Sequence, residues 1–279
     1  MPRDICKLCR EEKELQRSHL LPAALYDYCR RPEMEPIRVT SEIVMSTSRQ
    51  TQDYLLCRAC EGILNEGGEK WIVSQFVKPD RGSFPFYEMV TGIAPEFDEG
   101  DVKAYAGAKV PGLEIEKVIH FAMGLFWKAS VHSWTGDKTK SEPVKLGPYG
   151  EPTRKYLLGR GTFPNDVTLS VSISDPAKAM ILILEPYDGG KTLGFHTHVC
   201  YVLGVLFALS VGKKVTTEQR TGCFATGSHH PIFVMENLHR DVEQKLKKMH
   251  ASAPKARMYL EAKKRYFDYK KAVSTSPSK

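Results

Sequence analysis

The sequence lacks an apolar run long enough to cross a bilayer. A spanning helix needs about 20 consecutive, mainly apolar residues, and the best candidate, residues 199–211, falls short. The first residues, MPRDICKLCREEKEL, are charged and contain no apolar segment of the secretory kind. These absences predict a cytoplasmic protein that makes no membrane contact.

The sequence also lacks internal repeats and a phosphate-cradling loop. Its glycine turns at 159–161 and 188–190 do not have the G-x-x-x-x-G-K-[ST] spacing of such a loop, which argues against a nucleotide site. With 279 residues, 42% of them hydrophobic, the chain is long enough to bury a core.

Positive charge is concentrated at one end. The formal net charge is +7, and residues 240–279 hold twelve Lys or Arg against four Asp or Glu. The rest of the chain is therefore close to neutral. The seven cysteines indicate metal binding rather than disulfides, because a reducing compartment keeps thiols free.

Two C-x-x-C pairs stand out among the cysteines, Cys6 with Cys9 and Cys57 with Cys60. Each pair holds two thiolates on one side of a turn, and two pairs complete the tetrahedral shell that zinc prefers. The second pair opens a predicted helix, which is the layout of a treble-clef finger. The spacing predicts a structural Zn²⁺; the alternative is two unrelated pairs of buried cysteines.

The remaining periodicities predict an α+β fold. Apolar residues recur at three and four over 113–134, and a shorter helix is predicted at 151–158. The stretches VTLSVSIS, AMILILEPY and HTHVCYVLGVLFALSVG predict three or four strands of a small, mainly antiparallel sheet. Residues 232–249 and 255–269 predict two basic helices.

These elements predict four segments along the chain. Residues 1–76 form the treble-clef zinc finger, and residues 77–112, rich in proline and glycine, form a linker or an irregular layer. Residues 113–273 form a larger α+β domain with basic C-terminal helices. Residues 274–279 form a disordered tail.

The finger resembles the HNH endonuclease superfamily over residues 1–76. The motif SHLLP at 18–22 and the motif YLLCRACE at 54–61 carry the resemblance, together with the cysteine pairs. It implies a ββα-metal finger in which His19 is the general base that activates water for phosphodiester hydrolysis. An imidazole can fill that role because it titrates near neutral pH.

This chain departs from the family pattern around the expected catalytic metal. Ser18 stands where many members have a carboxylate, and Glu61 stands where a histidine follows the last cysteine. Glu61 and Asn65, four apart on one predicted helix face, could hold Mg²⁺ or Mn²⁺ near His19. The alternatives are a packing role for His19 and a helix-capping role for Glu61.

Outside the finger, the stretches FAMGLFWKASVHSW and GEPTRKYLLGR resemble a group of uncharacterised bacterial proteins. Those proteins carry an SH-hydrophobic-Pro finger with a long α+β extension. This second resemblance implies a fold and no chemistry.

The basic tail predicts nucleic-acid contact, with DNA favoured over RNA. Lys263, Lys264 and Arg265 alternate with aromatic residues, a mixture suited to phosphate contact and base stacking. The alternative is a solvated helix pair whose aromatic residues face the core.

His196 and His198 lie two apart and would share one face of a strand. No third ligand is spaced nearby in the sequence, so an ordinary sheet surface is the alternative to a metal pair.

The leading hypothesis for function is a metal-dependent DNA endonuclease of HNH type. The alternative is a non-catalytic, zinc-stabilised module that binds nucleic acid or protein. A third hypothesis, a small-molecule enzyme built around His196 and His198, has no motif behind it. The sequence does not indicate an oligomeric state.

Overall fold

The computed structural model describes residues 1–30, 35–39, 43–77, 83–136, 139–140, 144–177, 181–192, 194–213 and 215–275. The strands, in chain order, are β1 Arg3–Ile5, β2 Glu12–His19, β3 Ile37–Val39, β4 Val44–Ser46, β5 Gln52–Cys57, β6 Phe97–Glu99, β7 Val102–Ala106, β8 Thr135–Gly136, β9 Thr139–Lys140, β10 Val167–Ile173, β11 Ile183–Thr192, β12 Phe195–Val202, β13 Val205–Val211 and β14 Pro231–Met235. The helices are α1 Ala23–Tyr28, α2 Arg58–Leu64, α3 Lys70–Phe76, α4 Pro85–Thr91, α5 Ile115–Val131, α6 Gly150–Leu157, α7 Thr217–Thr221, α8 Leu238–Ser252 and α9 Arg257–Thr275.

The described residues form a mixed α+β fold around a seven-stranded, mostly antiparallel sheet. The strand order is β11-β12-β13-β10-β14-β7-β6, and β10 with β14 is its parallel pair. A separate three-stranded antiparallel sheet, β1-β2-β5, lies at the beginning of the chain. The α+β class is therefore confirmed, and the main sheet is larger than the small sheet expected from the sequence.

The segment 77–112, expected to be a linker or an irregular layer, instead supplies α4 and two strands of the main sheet. Strand β7 pairs with β14, and β6 closes the edge as a hairpin with β7. The glycines that suggested a linker lie in turns at positive φ, Gly100 at +56° and Gly112 at +78°. They end short elements, and they do not mark an unstructured stretch.

The helix predicted at 232–249 begins later than expected. Residues Pro231–Met235 form β14, in which Ile232 and Val234 are buried and their neighbours are partly exposed. This alternation has the period of a strand, and the helix starts only at Leu238. Helix α9 continues to Thr275, and the rest of the predicted disordered tail, 276–279, lies outside the described residues.

Helix α5 is the centre of the packing. Its residues from Val118 to Ala129 are buried except for the half-buried His120, as expected of a helix covered on all sides. The ring of Phe121 meets Phe207 of β13 at 5.7 Å between centroids. One apolar cluster includes residues of the first 76 positions, such as Leu8 and Leu64, together with side chains of α5 and of the main sheet. The core is thus continuous across residue 76.

Candidate functional site

The four paired cysteines converge at one end of the small sheet. Cys6 and Cys9 lie in the turn between β1 and β2, and Arg10 closes that turn at φ +65° with its N–H bonded to the Cys6 carbonyl at 2.8 Å. Cys57 ends β5, and Cys60 lies in the first turn of α2. The four sulfur atoms lie within 4.8 Å of one another, so they could bind a metal ion such as zinc.

The pKa values of these thiols also favour a cation between the sulfur atoms. The hydrogen bond with Cys60 lowers the pKa of Cys6 to about 4 despite its burial, and the Cys57 amide donates to Cys6 Sγ at 3.3 Å. The pKa of Cys60 is raised by the same hydrogen bond, and that of Cys9 is raised by burial. A metal ion among the four sulfur atoms would supply a positive charge that stabilises thiolate ligands.

The cysteine turn is anchored to helix α6. The buried Arg154 donates from Nη1 to the Leu8 carbonyl at 2.5 Å, between the two cysteines of the turn. Arg154 also binds Glu151 through two hydrogen bonds of 2.9 Å, and Arg10 pairs with the same carboxylate. The Arg154 guanidinium lowers the pKa of Glu151 to about 2. The larger part of the chain thus holds the turn in place.

His19 ends strand β2 and is half-buried. Its partner across the strand pair is Gln52, but the side chain that bonds its ring is Gln50. Burial and the charge of Lys128 lower the pKa of His19, and the Gln50 hydrogen bond raises it. The imidazole is therefore neutral at neutral pH.

Glu61 lies in the first turn of α2, and the groups that interact with its carboxyl include Ser18, Lys128 and Glu69. Burial raises the pKa of the Glu61 carboxyl, and the Ser18 hydroxyl and the Lys128 charge lower it. Within the described chain, Glu61 Oε1 is buried without a hydrogen-bond partner. Ser18 is buried as well, and its hydroxyl accepts the Leu56 amide at 3.1 Å. Ser18 thus lies beside Glu61.

Asn65 does not join this group of side chains. It is exposed, and its amide donates to Glu66 Oε1 at 3.5 Å. The helix changes at this point, because residues Asn65–Glu69 form a π-helical turn between α2 and α3. A π turn takes up about one residue more than an α turn, so the carboxylate that follows Glu61 along the buried face is Glu69.

Two glycines explain the π turn. A Cβ at Gly67 would overlap the His120 ring, and one at Gly68 would overlap the backbone of α5 at Lys117 and Phe121. Only glycine allows helix α5 to approach so closely.

The close approach brings Lys128 of α5 into the group. Its Nζ donates to Glu69 Oε1 at 2.7 Å and to the His19 carbonyl at 2.9 Å, and its side chain is 4% exposed. The sequence did not reveal Glu69 or Lys128, which resemble ordinary surface charges there. The adjacent glycines inside a helix were the available signal.

The predicted nucleic-acid residues lie on one outer helix. Lys263, Lys264 and Arg265 of α9 are exposed, and Lys263 Nζ lies 5.9 Å from the centre of the exposed Phe267 ring. Tyr259 is buried and bonds His250 at 2.9 Å. The helix therefore separates a packed face from a basic face.

Comparisons with family models, with curated proteins and with solved structures find no match to this chain. None of the helices in the described ranges is long and apolar enough to span a membrane. What the chain offers is a mixed α+β fold, a cluster of four cysteines and a buried polar group beside it.

Proposed function

We propose that this chain is a nucleic-acid-acting protein whose treble-clef finger is stabilised by zinc and whose active site is of HNH type. The finger is supported by its order of parts: a cysteine turn inside a hairpin, then a strand and a helix that carry the second pair. A closed shell of four thiolates is typical of a structural site. Zn²⁺ would therefore hold the fold and take no part in the reaction.

The observation that carries the catalytic proposal is the position of His19. It ends the hairpin strand, its ring is bonded by Gln50, and its pKa lies below the usual value. A neutral imidazole can accept a proton from water at neutral pH. The Gln50 hydrogen bond would fix the ring so that one nitrogen faces the attacking water.

Two carboxylates and one ammonium interact with one another, and the ammonium, Lys128, also donates to the His19 carbonyl. Glu61 has a free buried oxygen, and Glu69 is paired with Lys128. Ionised, these three groups leave about one negative charge, which binds a hard divalent ion only weakly. Mg²⁺ typically uses one or two carboxylates together with substrate phosphates. We therefore expect Mg²⁺ or Mn²⁺ to bind with the nucleic acid, where it would stabilise the charge developing on the scissile phosphate.

The basic face of α9 would contribute phosphate contacts. Lys263, Lys264 and Arg265 have no described acidic side chain within ion-pair distance, and the exposed Phe267 beside Lys263 could stack on a base. Replacing the three basic residues with Gln should lower the affinity for DNA. The slope of the logarithm of the binding constant against the logarithm of the salt concentration should also become shallower, by about 0.9 for each lost phosphate contact. An unchanged slope would place the nucleic acid elsewhere.

A cleavage assay on supercoiled plasmid and single-stranded DNA, with Mg²⁺ or Mn²⁺, tests the catalytic role. His19→Ala should lower the cleavage rate by about 100-fold or more and leave the zinc content unchanged. His132→Ala is the matched control, because His132 is also half-buried and bonds a neighbouring carboxylate, Asp53, at 2.9 Å. Equal activity of the two variants would contradict the assignment of His19.

The pH dependence of the same reaction gives a second test. Because the pKa of His19 is lowered, the cleavage rate should stay high below pH 6.5 and fall only in more acidic solution. If, on acidification, the rate has already fallen by half at a pH above the usual histidine pKa of about 6.5, that result would count against His19 as the base.

A non-catalytic binding module is the second candidate. It is favoured by the closed ion pair of Lys128 with Glu69, whose side chains are 4% and 15% exposed. Two charges sealed in this way can join the finger to α5 without any reaction. DNA binding by zinc-loaded protein without cleavage under any of the tested conditions would support this candidate.

A further inference from the structure

A second group of metal-ligating side chains lies on the edge of the main sheet. Asp188 of β11 and His196 and His198 of β12 each offer a ligand atom, and these three atoms lie within 4.8 Å of one another. His196 Nε2 is 2.6 Å from Asp188 Oδ1. The ring centres of the two histidines are 4.7 Å apart.

A bulge in β11 places Asp188 beside the histidines. The pairing of Asp188 with His198 is followed by that of Gly190 with Thr197, so Gly189 is an extra residue. A Cβ at Gly189 would meet the Val199 side chain at 2.9 Å, and Gly190 adopts φ +101°. Bulges of this kind redirect side chains and are common beside active sites. The sequence could not show that Asp188 would supply the missing third ligand.

His198 is prepared to ligate a metal ion. It is 0% exposed, and its Nε2 lies 3.2 Å from the Lys145 carbonyl. A carbonyl can only accept, so Nε2 carries the hydrogen and Nδ1 carries the lone pair. Within the described chain, that buried Nδ1 has no hydrogen-bond partner. Metal-bound histidines usually donate their other N–H to a carbonyl or a carboxylate in this manner.

We propose that Asp188, His196 and His198 bind a divalent transition-metal ion such as Zn²⁺ or Fe²⁺. Two imidazoles and one carboxylate are a recurring ligand set for such ions, and they leave coordination positions open for water or a substrate oxygen. His198 is fully buried, the His196 side chain is 30% exposed and the Asp188 side chain is 56% exposed. The open positions would therefore face solvent.

The distance between Asp188 and His196 is shorter than a metal site requires. Donor atoms that are each about 2.1 Å from a tetrahedral ion lie about 3.4 Å apart, whereas Asp188 and His196 are in direct contact at 2.6 Å. Asp188 lies on an exposed edge strand, so rotation of its side chain provides the space.

This site is independent of the proposed HNH function, because it shares no ligand with the cysteine cluster or with His19. The 279-residue chain is stripped of loosely held metal, given enough Zn²⁺ to fill the cysteine cluster, titrated with Co²⁺ and analysed for bound metal. Wild type should take up a second equivalent, whose cobalt spectrum lacks the thiolate charge-transfer band of the cysteine cluster. Asp188→Asn and His196→Gln should each lower the affinity for the second metal ion by about 100-fold or more, since even changes in the partners of metal ligands cost about 10- to 100-fold.

His229→Gln is the matched control. His229 is an exposed histidine with a carboxylate partner, Glu96, at 3.4 Å, and no described third ligand lies nearby. The control should bind both equivalents as wild type does. A wild type that binds only one equivalent, or variants at Asp188 and His196 that bind two equally well, would overturn the proposal. Unchanged melting of the variants, with zinc in the cysteine cluster and no second metal ion, would show that the fold is intact.

Discussion

The cysteine cluster and the Asp188 cluster offer opposite environments to a metal ion. The first collects four sulfur atoms from two segments far apart in the sequence, and three of those cysteines are buried. The second collects three atoms from two neighbouring strands, and its carboxylate is exposed. Four ligands close a coordination shell, whereas three leave it open. The comparison predicts that one site serves the fold and the other serves chemistry.

The positions of the two clusters in the fold support this division of roles. The cysteine turn is tied to α6 through Arg154 and is packed into the shared core. Asp188 of the second cluster lies on the edge strand β11, where its side chain can move at little cost to packing. A site at the edge can exchange ligands, and a site within the core cannot.

Removal of one cysteine ligand should have the largest effect. Structural zinc contributes on the order of 10 kcal/mol in zinc-finger peptides, which is comparable to the total stability of a typical domain. Cys57→Ser should therefore release zinc and unfold the finger, as measured by bound metal and thermal melting. Cys223→Ser, a buried cysteine outside the cluster, should keep the zinc. Zinc retention by Cys57→Ser would break the assignment of a closed structural site.

Loss of the Lys128 charge should have the next largest effect. Lys128→Met leaves Glu69 without its buried partner, and breaking a buried ion pair costs about 3–5 kcal/mol. Urea unfolding of this variant should show that loss, and Lys128→Met combined with Glu69→Leu should recover most of it. A single variant as stable as wild type would show that the pair does not join the finger to α5.

A chelator should distinguish the two clusters without a mutation. The open Asp188 cluster lets a chelator enter the coordination shell, so its metal should be lost first. The closed cysteine cluster should keep its zinc under the same conditions. Metal analysis over time measures both losses, and simultaneous release would remove the distinction between closed and open sites.

The smallest effect is expected at the anchor of the cysteine turn. The pKa of Glu151 is lowered to about 2, so its ion pairs stabilise the fold above the unfolded value near 4.5. That contribution is lost as the pH falls toward 2. Glu151→Gln should remove this pH-dependent contribution to the free energy of unfolding. We expect it to be less than about 1 kcal/mol, because the Glu151 side chain is 37% exposed. Unfolding curves of both proteins between pH 5 and pH 3 measure it.

Local patterns in the sequence predicted the parts of the fold that depend on neighbours along the chain. The helix period identified α5, and the cysteine spacing identified the cluster that the structure brings together. Asp188 was missed because its approach to His198 depends on a bulge and on strand register. Glu69 was missed because a π turn, produced by close packing against α5, rotates the helix.

The contact between Arg154 and Leu8 joins residues 146 positions apart, and this separation has a consequence for synthesis. Both cysteine pairs leave the ribosome long before Arg154, because synthesis runs from the N-terminus, and N-terminal parts generally fold first during synthesis. The finger should therefore take up zinc while its anchor is still unmade. A ribosome-stalled chain that ends before Arg154 should already protect its cysteines from alkylation when zinc is present; full reactivity would show that the anchor must come first.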